Sequence, residues 1–565
     1  MYSDAEKVSH SLFACVGSGF AAIGLGATLK RWYGIDDIQF FERHSQLGGT
    51  WFANQYPGCA CDVPSALYSF SFEQNPDWTQ AMPSNSELWE YINGVAQKYD
   101  LVRRMAFDSL VQHCEWIEER ARWRLTIHHS KSGTTYYHES QFLFAATGVL
   151  VHPRSIDVPG ADTFKGRIAH TGRWSSDIDL EGKKVVLFGN GCTASQVVPA
   201  IVHKTKSLTQ IVRTKHWIMP GLDSDLSPFM RKLMAWVPKV PALQRLMIFC
   251  VAENSFRGFR MTEDGKKFRA MQRYNSETYM RSAAPAKYHD ILIPDFEVNC
   301  KRRIFDPGYL QSTHADNFTL TDEKPLEITP DGVKTERGFI EADVIILANG
   351  YETNKFATGI NVVGREGETL ETRWEALGGE GAYNTSAMAG FPNFFLLLGP
   401  NSVTGHTSTV MAIENGVNYA LRVLKPVLEG RASAAMVKSE AEQQYVDEMQ
   451  SALRNTVWNT GCGAWYTKKS KGTENQWNAM AYPYSQIHFW YRSFFPNWSH
   501  WEYSGRPNST SRIQKRGFGG WMMILLAIIV GVVVLGIYGR DWLSSIAPSL
   551  PAMTGRPASF VPNYL

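Results

Sequence analysis

Apolar positions fall into several distinct rhythms along this chain. Residues 11–16 (SLFACV) form a short unbroken apolar run, which predicts a buried strand. Residues from about 20 to 32 repeat apolar side chains at helical spacing, and residues 38–42 (IQFFE) predict a second strand. The same order returns later: KKVVLFG at 183–189 as strand, a helix after it, then LTQIV at 208–212 as strand. Two further buried strands, FLFAATG (142–148) and DVIILANG (343–350), end in small residues. They read as crossings between two domains, where small side chains let backbone pass close to a cofactor. Residues 164–175 (FKGRIAHTGRWS) read as a linker, loosened by Gly166 and Gly172 and anchored by Phe164 and Trp174. Residues 218–290 lack alternation and carry apolar residues at helical spacing, predicting a helical insertion that covers the substrate entrance. FPNFFLLLGPN (391–401) predicts a strand, and Gly405-His406-Thr407-Ser408 opens a helix running to about Glu429. Residues 430–505 are mixed and aromatic-rich. Residues 518–538 are apolar with no charge at all.

The turns between strand and helix carry the chemistry. Gly17, Gly19 and Ala22, with Phe20 opening the helix, make a G-x-G-x-x-A loop. The first glycine allows the tight turn, the second lets backbone approach a pyrophosphate, and the alanine lets helix pack on strand. The phosphates then meet the positive end of the helix. Glu42 ends the second strand 23 residues past Gly19, where a carboxylate accepts from ribose hydroxyls. Gly189, Gly191, Cys192, Thr193 and Ala194 repeat the loop. There the strand ends at Arg213, 22 residues past Gly191, followed by Thr214 and Lys215. A carboxylate repels a ribose 2′-phosphate, and an arginine fork pairs with one. The contrast between Glu42 and Arg213 predicts FAD at the first loop and NADPH, rather than NADH, at the second.

Phe164, Gly166, His170 and Trp174 follow the order F-x-G-x-x-x-H-x-x-x-W, which resembles the fingerprint of the Baeyer–Villiger branch of flavoprotein monooxygenases. Ser175 stands where that family has Pro or Asp, and Asn349 departs from its A-T-G. Four more stretches are similar to the family: residues 41–65 (FERHSQLGGTWFANQYPGCACDVPS), IVRTKHW (211–217), CKRR (300–303) and VWNTGCGAWY (457–466). The resemblance covers about residues 11–490. It implies that Gly48, Gly49, Thr50 and Trp51 lie on the flavin, with Tyr68 among the cofactor residues and Asp62 near the reaction centre. It implies Lys301 at the 2′-phosphate, Arg302 as the catalytic arginine held by Asp62, and His170 as a contact at the domain junction. The implied reaction uses NADPH-reduced FAD and O₂, through a C4a-peroxyflavin, to turn a lipophilic ketone into an ester or lactone, in secondary metabolism. Chemistry asks for a fixed cation beside an anionic peroxide, and arginine keeps its proton near neutral pH. The alternative is a heteroatom-oxidising or hydroxylating flavin monooxygenase, whose linker has His-Ser and Tyr where His170-Thr171 and Trp174 stand. A membrane-tethered flavoprotein reductase needs a relay, and no C-x-x-C is present.

The expected fold is α/β: two Rossmann-like dinucleotide-binding domains, a helical insertion and a C-terminal transmembrane helix. The first part of the FAD-binding domain takes 1–150. The NADP-binding domain takes 151–340, with the insertion at about 218–290, and the second part of the FAD domain takes 341–510. Residues 518–538 would extend roughly 31 Å as helix, close to the ~30 Å hydrocarbon core. Arg512, Lys515 and Arg516 precede them, and Arg540 and Asp541 follow. That bias predicts a single-pass anchor with the catalytic body cytosolic, residues 539–565 across the bilayer, and the endoplasmic reticulum as the membrane in a eukaryotic source. No signal peptide is read at the N-terminus. A net charge of +3 excludes a nucleic-acid partner, and no signature of oligomeric state is present. No metal site is expected. The eight cysteines read as buried reduced thiols of a cytosolic protein.

Overall fold

The computed structural model describes residues 8–506 and Arg512, except 223–225, 238, 354, 358 and 470–475. Both predicted strand–helix–strand units are present. In the first, strand Ser9–Val16 leads through the glycine turn to helix Phe20–Tyr33 and strand Ile38–Phe41. In the second, Lys184–Phe188 leads to helix Cys192–Ile201 and strand Ser207–Ile211. Each unit seeds its own sheet.

The first sheet runs Asn361–Val363, Ser109–Ile117, Arg122–His129, Thr134–Ala145, Ser9–Val16, Ile38–Phe41 and Met105–Ala106, with Phe394–Leu396 joining Thr134–Ala145. Ser9–Val16 pairs in parallel with both neighbours, while 109–145 form an antiparallel meander. The second sheet is parallel throughout: Phe318–Thr321, Ser207–Ile211, Lys184–Phe188, Val344–Leu347 and Arg167–His170. Its strands alternate between two cores. Val185, Leu187, Val344 and Ile346 face one cluster; Val186, Phe188, Ile345 and Leu347 face the other. Period-two alternation in a run apolar at every position is what a sheet covered on both faces requires.

The two crossings between the sheets lie side by side, joined at Pro153 and Tyr351 and by Arg154 N–H donating to the Gly350 carbonyl. Their small residues have a definite use. A Cβ on Gly17 would come within 2.5 Å of the Ala146 carbonyl oxygen, and one on Gly189 within 2.3 Å of that of Ala348. Each nucleotide turn therefore folds directly onto the crossing strand of its own sheet.

Several expectations need correction. Residues 164–175 are not a free linker: Arg167–His170 is the edge strand of the second sheet, paired with Val344–Leu347. Phe164 and Trp174 do pack against the two clusters flanking that sheet. The strand expected across 391–401 is only Phe394–Leu396, and the helix expected to Glu429 stops at Val423 before a separate turn, Lys425–Leu428, with Pro426 in its first turn. The cysteines are not all thiols. Cys300 and Cys462, 162 residues apart, form a disulfide, while the other six are free. The helical insertion is present as Pro228–Trp236, Lys239–Asn254 and Glu263–Ala283. The transmembrane segment 518–538 and the tail 539–565 lie outside the described residues, among which no helix is long and apolar enough to cross a membrane.

Candidate active site

At the first nucleotide loop, Gly17 takes φ +109°, which suits glycine, and Gly19 caps the helix in an extended conformation. Gly49 (φ +55°) backs onto Gly19 so closely that a Cβ on Gly49 would sit 3.0 Å from the Gly19 Cα. Thr50 and Trp51 follow at once in the short helix Thr50–Ala53. Phe20, Tyr68 and Trp51 form an aromatic string, with centroids 5.3 Å and 5.5 Å apart. Ala22 is fully buried. Glu42 ends its strand buried and holds the loop: it accepts from Ser18 N–H and Oγ–H through one oxygen and from His44 N–H through the other. The spare lone pairs of that carboxylate suit ribose hydroxyls.

At the second loop the geometry leaves room. Gly189 (φ +126°) rests on Ala348, but a Cβ on Gly191 would meet nothing within 4 Å. That open space, at the N-terminus of Cys192–Ile201, fits a pyrophosphate. Ala194 is fully buried against the strand and Asn190 donates to the Thr214 carbonyl. Arg213 is exposed beyond its strand. Lys301 is buried, and its pKa is pushed down by burial and by the charge of Arg213. No carboxylate is paired with either among the described residues. Two cations sharing one place this way suit a phosphate between them.

Asp62 and Arg302, 240 residues apart, meet where both loops open. The carboxylate takes both Nε and Nη2 of the guanidinium, the second at 2.7 Å. Side chains are 29% exposed for Arg302 and 27% for Asp62, so the pair is open on one side. Burial pushes the Asp62 carboxyl up, but the charge and hydrogen bonds of Arg302 outweigh it and hold it below its usual range. Burial likewise opposes the Arg302 charge, and Asp62 reverses that and holds its pKa well above normal. Cys192, first residue of the NADP-side helix, adds a hydrogen bond to Asp62, and its own thiol is pushed up to about 12, first by burial and then by the Asp62 charge.

Other neighbours were not singled out from sequence. Tyr466 shares the electrostatic environment of Arg302 and Asp62, and burial pushes it up to about 12. The guanidinium of Arg303 touches Met219 Sδ, and burial, then Arg302, lower it to about 10. The disulfide Cys300–Cys462 ties the loop that carries Arg302 to the segment that carries Tyr466. Signals for these existed in CKRR and VWNTGCGAWY, but pairing across 162 positions has no local signature. His170 donates from Nε2 to the Gly350 carbonyl, 3.1 Å away, and accepts at Nδ1 from Gly172 N–H, so it does sit at the junction of the crossings. The insertion closes over one side. Glu253 pairs with His406 at 2.8 Å, and the Phe259 ring lies tilted against Trp458 with centroids 4.9 Å apart.

Two dinucleotide loops of opposite electrostatic preference, converging on a fixed guanidinium, define a two-nucleotide flavoprotein oxidoreductase. Residues 37–236 match the family described as flavin-binding monooxygenase-like. A Baeyer–Villiger monooxygenase of Streptomyces coelicolor is 34% identical, covering 83% of this chain and 89% of that protein. One from Pseudomonas aeruginosa is 32% identical (82% and 86% covered), and the FAD-binding monooxygenase tazF of Aspergillus terreus is 31% identical (84% and 86%). Among solved structures, closed cyclohexanone monooxygenase has the same fold, at TM-score 0.76 and 20% identity over 88% of this chain and all of that one. The steroid monooxygenase bound to NADP superposes at TM-score 0.75 with 22% identity, again over 88% of this chain and all of that one. The chain belongs to the flavin-binding monooxygenase-like family, in its Baeyer–Villiger branch, and is an FAD-dependent, NADPH-using monooxygenase.

Proposed function

We propose that this enzyme inserts one atom of O₂ beside the carbonyl of a lipophilic ketone, giving an ester or lactone. The observation that carries the reading is the bidentate Arg302–Asp62 pair at the meeting of the two nucleotide loops. When bound, FAD and NADPH supply the hydride and the oxygen activation. What the chain supplies is binding and charge. Gly17, Gly19, Glu42, Gly49, Thr50, Trp51 and Tyr68 would hold the flavin nucleotide; Gly189, Gly191, Thr193, Arg213, Thr214 and Lys301 the coenzyme. Arg302 presents a cation that cannot give up its proton, which favours an anionic nucleophile over a protonated one. A cation so placed is worth about 3–4 kcal/mol, by analogy with an oxyanion hole. Asp62 fixes the plane of that cation, and the Cys192 hydrogen bond steadies Asp62.

A heteroatom oxidation would draw on a protonated oxidant, which the fixed charge at Arg302 disfavours. The test is mass spectrometry of products from a panel of ketones, amines and sulfides with NADPH. An ester one oxygen heavier than its ketone is expected; N- or S-oxides with ketones untouched would overturn the reading.

We further propose a single-pass, fungal-type membrane form of the enzyme, with the body on the cytosolic side at the endoplasmic reticulum and a role in secondary metabolism. The uncharged run 518–538 with its preceding basic cluster supports the anchor, and the need for NADPH supports the cytosolic side. The Aspergillus relative supports the fungal type. The disulfide Cys300–Cys462 pulls the other way, since cytosolic thiols are kept reduced. Protection of the body from protease added on the cytosolic side would overturn the orientation.

A further inference from the structure

Of the eighteen large hydrophobic residues exposed on the described surface, ten lie in residues 218–290. The concentration is highest on two consecutive helices. Phe229 is 73% exposed and Trp236 83% on Pro228–Trp236; Met247 is 57% and Val251 74% exposed on Lys239–Asn254. The second helix is apolar on both sides. Its inner side docks on the FAD domain: Arg245 is buried and donates to the Ala66 and Ser69 carbonyls. The outer side carries Leu243, Met247 and Val251 at i, i+4 and i+8, one continuous stripe. At the end of this helix, Glu253 accepts from the first backbone N–H groups of helix Gln486–Phe494. That helix has its own exposed stripe, Ile487 and Tyr491, continued by Phe495. A contiguous apolar surface of this kind is not left to water in a soluble monomer.

We propose that this face lies on a lipid bilayer, seating the helices Pro228–Trp236 and Lys239–Asn254 in the headgroup region. Two observations select a bilayer over a second copy of the chain. From 226 to 252 there is no acidic residue, and Lys232 and Lys239 stand exposed on either side of Trp236, which suits anionic headgroups. The chain beyond the described residues contains a charge-free run of bilayer length, which would bring the body to a membrane. At sixteen residues, about 24 Å, the helix Lys239–Asn254 is too short to span and fits an interfacial position. The same insertion closes on His406 and on Trp458, whose ring lies 6.1 Å from that of Tyr466 in the surroundings of Arg302, so a lipophilic substrate dissolved in the bilayer would meet the insertion before water. This contact is separate from the anchor proposed above, though it shares the membrane reading.

Cys250, exposed between Met247 and Val251, gives a native probe; the other free cysteines are buried or half-buried. An environment-sensitive dye on Cys250 of the full chain is measured in phosphatidylcholine–phosphatidylserine vesicles. The reference is the same dye on Lys131→Cys in a Cys250→Ser background, because the Lys131 side chain is 68% exposed on a different element. The expected result is a Cys250 dye at least about threefold less accessible to aqueous iodide than the reference dye and quenched by a shallow spin-labelled lipid. Trp236→Ser with Met247→Ser should reverse both effects. Equal iodide access at the two positions overturns the proposal, and so does shielding without lipid quenching, which would mean a second copy or the chain's own tail on the face. Carbonate extraction reads the anchor independently: a resistant protein with a water-exposed Cys250 dye keeps the anchor and loses this proposal, and a stripped protein with a lipid-quenched dye does the reverse.

Discussion

Gly189 and Gly191 are two residues apart, yet the structure gives them opposite tasks, and alanine at each separates folding from coenzyme binding. At Gly189 the backbone has φ +126° and a Cβ would meet the Ala348 carbonyl carbon at 2.8 Å and its oxygen at 2.3 Å. Both atoms are backbone of the crossing that continues directly from the interior strand Val344–Leu347, so neither can swing aside. The strained φ alone costs of order 1–3 kcal/mol, and the clash adds to it. Gly191 has φ −86° and ψ −172°, extended backbone open to any residue, and free space around the would-be Cβ. Alanine there loses only a good helix cap, roughly 1 kcal/mol or less. Its methyl would instead occupy the space we assign to the pyrophosphate. Losing one charge-assisted backbone contact costs about 1.5–3 kcal/mol, or about ten- to a hundredfold in coenzyme affinity. The assay pairs thermal unfolding of the FAD-loaded protein with the KM for NADPH. Gly189→Ala should lower the unfolding midpoint by several degrees; Gly191→Ala should leave it nearly unchanged and raise the KM for NADPH ten- to a hundredfold, with FAD content intact. A Gly191→Ala protein that unfolds as early as Gly189→Ala, or that keeps the wild-type KM, would refute the assignment of that space.

Arg302→Ala should retain FAD and still oxidise NADPH while ester formation falls by a hundredfold or more and hydrogen peroxide accumulates; wild-type ester formation would make the pair with Asp62 purely structural. Arg213→Ala should erode the preference for NADPH over NADH by about ten- to a hundredfold, mainly through KM, because a charge-assisted contact of about 1.5–3 kcal/mol is lost. Buried His138, held between the Ser9 and Ser11 hydroxyls at 2.8 Å each, has its pKa lowered to about 4 from 6.5 by burial first and by His10 second. The unfolded chain therefore takes up the proton first. The His138 contribution is whole above pH ~6.5 and is lost as pH falls towards ~4, by up to roughly 3 kcal/mol. Urea midpoints at pH 7 and 4.5 should differ less in His138→Gln, and an unchanged pH slope in that variant would exclude His138 as the cause.

What the chain determined by itself was whatever depends on neighbours a few positions away. The strand–glycine turn–helix units at 9–41 and 184–211 were legible because hydrophobic period, turn glycines and helix start all lie within some thirty residues. So was the contrast between Glu42 and Arg213, since each follows its loop at a fixed distance along the chain. The edge strand Arg167–His170 was misread because a four-residue strand between glycines has no periodicity of its own; it exists because Val344–Leu347 offers it backbone partners. The helix at 409 was traced too far because the sequence pattern continues past Leu424, where Pro426 starts a new turn. Tertiary structure alone decided which distant groups meet. Asp62 and Arg302 were nominated by resemblance, but their bidentate geometry, the Cys192 hydrogen bond beside it and the disulfide Cys300–Cys462 arise from packing one domain against the other. Likewise, an apolar residue in the insertion looks the same in sequence whether it faces the core or the surroundings. Only docking of Arg245 onto the FAD domain turns Leu243, Met247 and Val251 outward, because fixing one side of a helix fixes the direction of every other side chain on it.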